Sequence, residues 1–134
     1  MKMAEVPMNL LTVPQGWYVA YATSADLRFS YGLPKLINEY YHVEYKMENV
    51  SVGDAVLSGN LISLFVKQKE TDKPDESDLY ICLQNLNDLC IKENITKLAI
   101  PKICCGNNGL IWKDVKKAIR NVFKGSNIFI LVCI

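Results

Sequence analysis

Two segments, Leu98-Ala99-Ile100 and Ile128–Ile134, are almost wholly apolar, and an amphipathic stretch from Trp112 to Phe123 separates them. A strand without a polar face has to be covered on both sides. The same alternation recurs upstream. Trp17 to Thr23 carries Tyr18, Val19, Tyr21 and Thr23, residues that favour strand geometry. Pro34 then stands in the first turn of a helix, with Leu36, Ile37, Tyr40 and Tyr41 as its apolar face. Asp54–Leu57 and Leu61–Val66 bracket Ser58-Gly59-Asn60, a hairpin turn. From Glu76 to Glu93, Leu79, Cys82, Leu83, Leu86, Leu89 and Cys90 recur at helical spacing, and Asn94 supplies the stop. Met8–Val13, halted by Pro14-Gln15-Gly16, reads as an opening strand. The stretch around His42 to Val52 gives no clear pattern. Strands alternating with helices predict an α/β fold, a mixed and largely parallel sheet sandwiched by helices. Ligands of such sheets gather beyond the carboxyl ends of the strands. The loops after Thr23, Val66 and Ile100 are therefore expected to meet.

The length of 134 residues suits one domain with one core, and half of the residues are hydrophobic. The net charge of +1 argues against broad electrostatic binding of nucleic acid or an anionic membrane. No apolar run approaches the roughly 20 residues of a membrane span. Met1–Pro7 lacks the apolar core of a signal peptide. The five cysteines are odd in number and include no C-x-x-C. They read as reduced, mostly buried thiols of an intracellular protein, with no metal set among them.

Three places offer chemistry. Pro101–Trp112 joins a buried strand to a helix through a short turn bearing Gly106, Asn107, Asn108 and Gly109. Glycines permit close backbone approach, asparagines tolerate left-handed conformations, and a helix start attracts anions. The loop suits a diphosphate, or is an ordinary strand-to-helix connection; it is neither a P-loop nor a G-x-G-x-x-G. Lys67 ends the strand Leu61–Val66. An amine desolvated there is a nucleophile toward a carbonyl or an anomeric carbon, whereas a solvated strand-exit lysine is inert. Ser30-Tyr31-Gly32 precedes the Pro34 helix and offers N–H donors, a hydroxyl and a ring, or only a capping turn. Asn108 can orient a water or a ribose hydroxyl but cannot act as a base near neutral pH. His42 has no obvious partner, and Arg28 beside Asp26 reads as a solvated loop residue.

Taken together, these residues resemble the macrodomain family, and within it the terminal ADP-ribose protein glycohydrolase subgroup. Pro101–Trp112 is similar to the subgroup's phosphate loop, a Pro-Arg-Ile-Gly-Cys-Gly pattern ending in Trp. Leu64–Lys69 followed by Lys73-Pro74 resembles its lysine-bearing strand and loop. Ala20–Gly32 resembles the next strand and its substrate loop, with Ser30-Tyr31-Gly32 in place of Gly-Ala-Gly. Met8-Asn9-Leu10-Leu11 resembles the opening strand. The resemblance implies a three-layer α/β/α sandwich binding ADP-ribose in a cleft. It implies that Lys67 attacks the anomeric carbon of the distal ribose and that Asn108 stands where an aspartate helps to release the sugar. The ligand-binding set it implies is Asn9, Leu10, Thr23, Ser30, Tyr31, Gly32, Ile103, Cys104, Cys105, Gly106, Asn107 and Gly109. Asn9 would accept a bond from the adenine amino group as an uncharged amide.

The function expected on that basis is hydrolysis of ADP-ribosyl esters on acidic side chains, or of O-acyl-ADP-ribose, without a cofactor. The alternative is a non-catalytic reader of free or terminal ADP-ribose, which Asn108 favours. The expected partners are ADP-ribose, O-acyl-ADP-ribose and mono-ADP-ribosylated proteins. Nucleic acid is possible but unsupported, no membrane is expected, and the chain is expected to be a monomer.

Overall fold

A computed structural model of the protein describes residues 1–42, 49–106 and 109–134. Six strands form one sheet: β1 (Lys2–Val6), β2 (Tyr18–Ser24), β3 (Ala55–Ser58), β4 (Leu61–Lys67), β5 (Lys97–Ile100) and β6 (Phe129–Cys133). Their order is β1-β6-β5-β2-β4-β3. Every neighbouring pair is parallel except the β3–β4 hairpin. Three helices accompany them: α1 (Gly32–Tyr41), α2 (Glu76–Lys92) and α3 (Trp112–Val122).

The alternation of side chains along each strand sorts the core into two layers. Ala20, Ile62, Leu64, Leu98, Ile100 and Ile130 face α2 and α3, packing on Leu83, Leu86, Ile119 and Phe123. Val19, Tyr21, Leu61 and Ala99 face the opposite way, toward Ile37 of α1 and Leu10. The mixed, largely parallel three-layer sandwich expected from the sequence is thus the observed fold.

The start of α2 has a local cause, whereas α1 and α3 begin without a side-chain cap. The Asp75 side chain accepts a bond from the Ser77 N–H at 2.9 Å, and Glu76 and Asp78 complement the positive end of α2. Lys92 lies in its last turn, and Asn94 follows with a φ of 55°. Val115 and Ile119 of α3 and Phe123 at its C-cap recur every four residues and are buried.

The opening strand is not Met8–Val13. That segment holds a single 3-10 turn, Leu10–Thr12, capped by the Asn9 side chain, which accepts from the Leu11 N–H at 2.9 Å. The first strand lies earlier, in Lys2–Val6, paired with β6. Only Ile37 of the expected apolar face of α1 is buried; Leu36 and Tyr40 are exposed. Part of the unassigned His42–Val52 stretch lies outside the described residues.

Candidate functional site

The sheet order reverses beside β2, where the chain turns toward β4 on one side and β5 on the other. A crevice forms beyond the carboxyl ends of strands at such a point. Here a cleft of about 320 Å³ is lined by Thr23, Ser24, Val66, Lys67 and the run Pro101–Gly106, together with Phe29 and Tyr31–Pro34. The loops after Thr23, Val66 and Ile100 do meet.

The β2 exit is built from a bulge. The register against β4 shifts between Thr23 and Ser24. The Ala25 and Asp26 N–H groups then donate to the carbonyls of Lys67 and Gln68, each at 2.9 Å. Two loops thereby leave the sheet side by side. Leu27 and Phe29 adopt left-handed φ values of 57° and 46°. Such conformations strain a large side chain and persist where surrounding contacts enforce them.

Those contacts centre on Asp26 and Glu70. The Asp26 carboxylate accepts from Ser24 Oγ at 2.6 Å, from the Glu70 N–H at 3.0 Å and from the Arg28 N–H at 3.4 Å. Burial pushes the Asp26 carboxyl up. The bonds from Ser24, Glu70 and Arg28 push it down and prevail, so it lies below its usual value. Lys67 Nζ donates to the Glu70 carbonyl at 2.9 Å, and Tyr31 Oη donates to the same oxygen at 2.7 Å. The Ser30 N–H donates to Glu70 Oε2 at 3.0 Å. The Lys67 amine is therefore held at the cleft wall, partly buried, beside a phenol.

The opposite wall is the loop after β5. Ile103 is buried and Cys104 turns the chain with a φ of 62°. The Leu110 N–H donates to the Cys104 carbonyl at 2.6 Å and the Gly109 N–H to the Gly106 carbonyl at 2.9 Å, closing the loop on itself. A Cβ on Gly109 would collide with the Cys104 carbonyl oxygen, so glycine is required there. Among the described residues, the N–H groups of Ile103, Cys104 and Gly106 donate to no carbonyl. Free main-chain donors in a left-handed turn make a concavity that suits an anion. Burial lifts the Cys104 thiol to about 12 and also raises Cys105, so neither is primed as a thiolate.

Of the residues singled out in the sequence, Lys67, Thr23, Tyr31, Gly32, Ile103, Cys104, Cys105 and Gly106 line the cleft. Ser30 and Gly109 are not in its lining but donate to Glu70 and Gly106, which are. Asn9 and Leu10 are not part of its lining: Asn9 caps the 3-10 turn and Leu10 is core. Asn107 and Asn108 lie outside the described residues. His42 is exposed at the end of α1, and Arg28 is exposed 3.9 Å from Asp26. Trp112 donates to Glu5 Oε1 at 2.6 Å, bridging α3 to β1. Sequence reasoning missed Glu70, Asp26 and Phe29. A carboxylate three residues from the strand-end lysine was the available signal for Glu70.

The sequence pattern of the Macro domain family matches residues 29–119, more than half of the chain and all of the cleft loops except the exit of β2. The chain belongs to the macrodomain family. This macrodomain is 26% identical to ADP-ribose glycohydrolase OARD1 of Homo sapiens, over 98% of the chain and 90% of that protein. Its fold is similar to the macrodomain of Thermus aquaticus DarG, with a TM-score of 0.85 at 17% identity over 98% and 97% of the two chains. It is also similar to Thermosipho africanus DarTG in complex with ADP-ribose, with a TM-score of 0.83 at 14% identity over 98% of this chain and 41% of that one. No helix among the described residues is long and apolar enough to cross a membrane.

Proposed function

We propose that this macrodomain binds ADP-ribose in the cleft and hydrolyses ADP-ribosyl esters of acidic side chains, or O-acyl-ADP-ribose, with Lys67 as the nucleophile. The observation that carries the reading is the meeting of a held primary amine and a bed of free main-chain N–H groups across one cleft. The diphosphate would lie against Ile103–Gly106 and the start of α1, where N–H groups face a negative charge. The distal ribose would then reach the strand-end amine. The Lys67 lone pair attacks the anomeric carbon and the carboxylate of the ester departs with the bonding pair. Family membership and the 26% identity to an ADP-ribose glycohydrolase support the same chemistry.

A second reading is a reader of ADP-ribose that does not turn it over. Asn108 favours it, because an amide stands where the related enzymes are expected to carry a carboxylate. Calorimetry with ADP-ribose tests binding, which both readings require. Incubation with a glutamate-ADP-ribosylated peptide separates them. The enzyme reading expects release of ADP-ribose that Lys67→Ala lowers by about 10²-fold or more while binding persists. Release that survives Lys67→Ala unchanged excludes Lys67 as nucleophile, and binding without release establishes the reader.

A further inference from the structure

Hydrolysis through a covalent lysine–sugar adduct has a second half, in which water must displace the lysine from the anomeric carbon. That half needs a base, and the side chain of Asn108 cannot take a proton. Glu70 is the one carboxylate among the described residues that lines the cleft. Its main-chain carbonyl already holds the Lys67 amine, so the carboxylate and the amine leave from adjoining points on the wall. Its Oε2 is fixed by the Ser30 N–H. Its own N–H is fixed by Asp26, and Tyr31 Oη braces its carbonyl. Oε1 has no hydrogen-bond or ion-pair partner among the described residues. One oxygen is anchored and the other is open, on a loop whose backbone is held at both its N–H and its carbonyl. That arrangement suits proton abstraction from a positioned water. Asp26 is a poorer candidate, because both of its oxygens are engaged and it does not line the cleft.

We propose that Glu70 is a catalytic residue, the general base that resolves the Lys67–sugar adduct; the inference rests on the hydrolase reading above. In the first step the Lys67 nitrogen bonds to the anomeric carbon, the ester C–O bond breaks, and the nitrogen becomes a secondary ammonium. In the second step a water oxygen bonds to that carbon as Glu70 Oε1 takes one of its protons. The C–N bond breaks and returns the neutral lysine amine. Glu70 then passes its proton to solvent. The net change is ester plus water to ADP-ribose, carboxylate and one proton.

The test compares wild type, Lys67→Ala, Glu70→Gln and Glu70→Ala on a glutamate-ADP-ribosylated peptide, with intact-protein mass recorded during turnover. Glu70→Gln keeps an acceptor for the Ser30 N–H and removes only the base. Its expected result is ADP-ribose affinity within about threefold of wild type, turnover lowered by about 10²-fold, and a one-ADP-ribose adduct on Lys67 that accumulates. Formate added to Glu70→Ala is expected to restore part of the rate. Wild-type turnover in Glu70→Gln without an adduct overturns the proposal while leaving the Lys67 reading intact. Loss of ADP-ribose binding in Glu70→Gln also overturns it, by making Glu70 a binding residue. Absence of both turnover and adduct in the wild type overturns both readings.

Discussion

At the scale of single residues, the cleft depends on positions that tolerate no freedom. Gly109 is one. Any side chain there meets the Cys104 carbonyl, and the Gly106 carbonyl lies 2.9 Å from the same point. Gly109→Ala is expected to cost about 1–3 kcal/mol, as overpacking does, and to abolish the calorimetric signal with ADP-ribose. An unchanged melting temperature would contradict that steric account. Asp26 is another. Its folded carboxyl titrates below the ordinary value of 3.8 because three donors favour the charged form. A depressed carboxylate contributes stability that is present in full above about pH 4 and is lost as pH falls through the folded value. Asp26→Asn is therefore expected to be less stable near neutrality and to lose less than wild type on acidification, as thermal melts between about pH 5 and pH 2 would reveal. Glu5, lowered by its bonds from Trp112 and Lys116, contributes with the same sign and persists in that variant. Lys67 was legible in the sequence because it ends an apolar strand. Glu70 was only partly so: its spacing of three from Lys67 is local, but its place at the wall also depends on bonds from its backbone to the distant side chains of Asp26 and Tyr31.

At the scale of elements, the sequence was most informative where periodicity and caps agreed. α2 begins at its acidic cap and ends before a left-handed asparagine, as the pattern of Glu76–Glu93 implied. Asp75→Ala removes the acceptor for the Ser77 N–H. It is expected to lower stability by about 1 kcal/mol, measured as a shift of the urea midpoint at constant slope. The N-terminus was misread for a physical reason. Met8, Leu10, Leu11 and Val13 are apolar because they pack beneath the α1 face of the sheet, not because they pair as a strand. Asn9 caps the turn and Pro14 follows it, both local signals against extension. The true first strand, Lys2-Met3-Ala4-Glu5-Val6, is poor in β-branched residues and lies at the sheet edge, so pairing with β6 overrides its weak propensity. Exposed Lys2 and Glu5 also keep that edge charged, which discourages pairing with other chains. The exposure of Leu36 and Tyr40 shows that helical spacing locates a helix better than it locates its buried side.

At the scale of the whole molecule, the arrangement of layers places chemistry at one rim. α2 and α3 cover one face of the sheet, and α1 with the 3-10 turn covers the other. The cleft opens where β5, β2 and β4 end, on strands whose side chains are almost fully buried. The location of the cleft and the meeting of its three loops were foreseeable from the alternation of strands and helices; the bonds that join the β2 and β4 loops were not, because the β2 bulge and the bonds across it arise only once β4 is beside β2. β6 has its own consequence. It is the last strand made, yet it sits between β1 and β5. During synthesis on a ribosome, β1 has no hydrogen-bonding neighbour, and β5 keeps a bare flank, until Phe129–Cys133 has cleared the exit tunnel. Nascent chains arrested just short of that strand are expected to remain open to protease, and chains extended past it by a spacer long enough to span the tunnel are expected to resist.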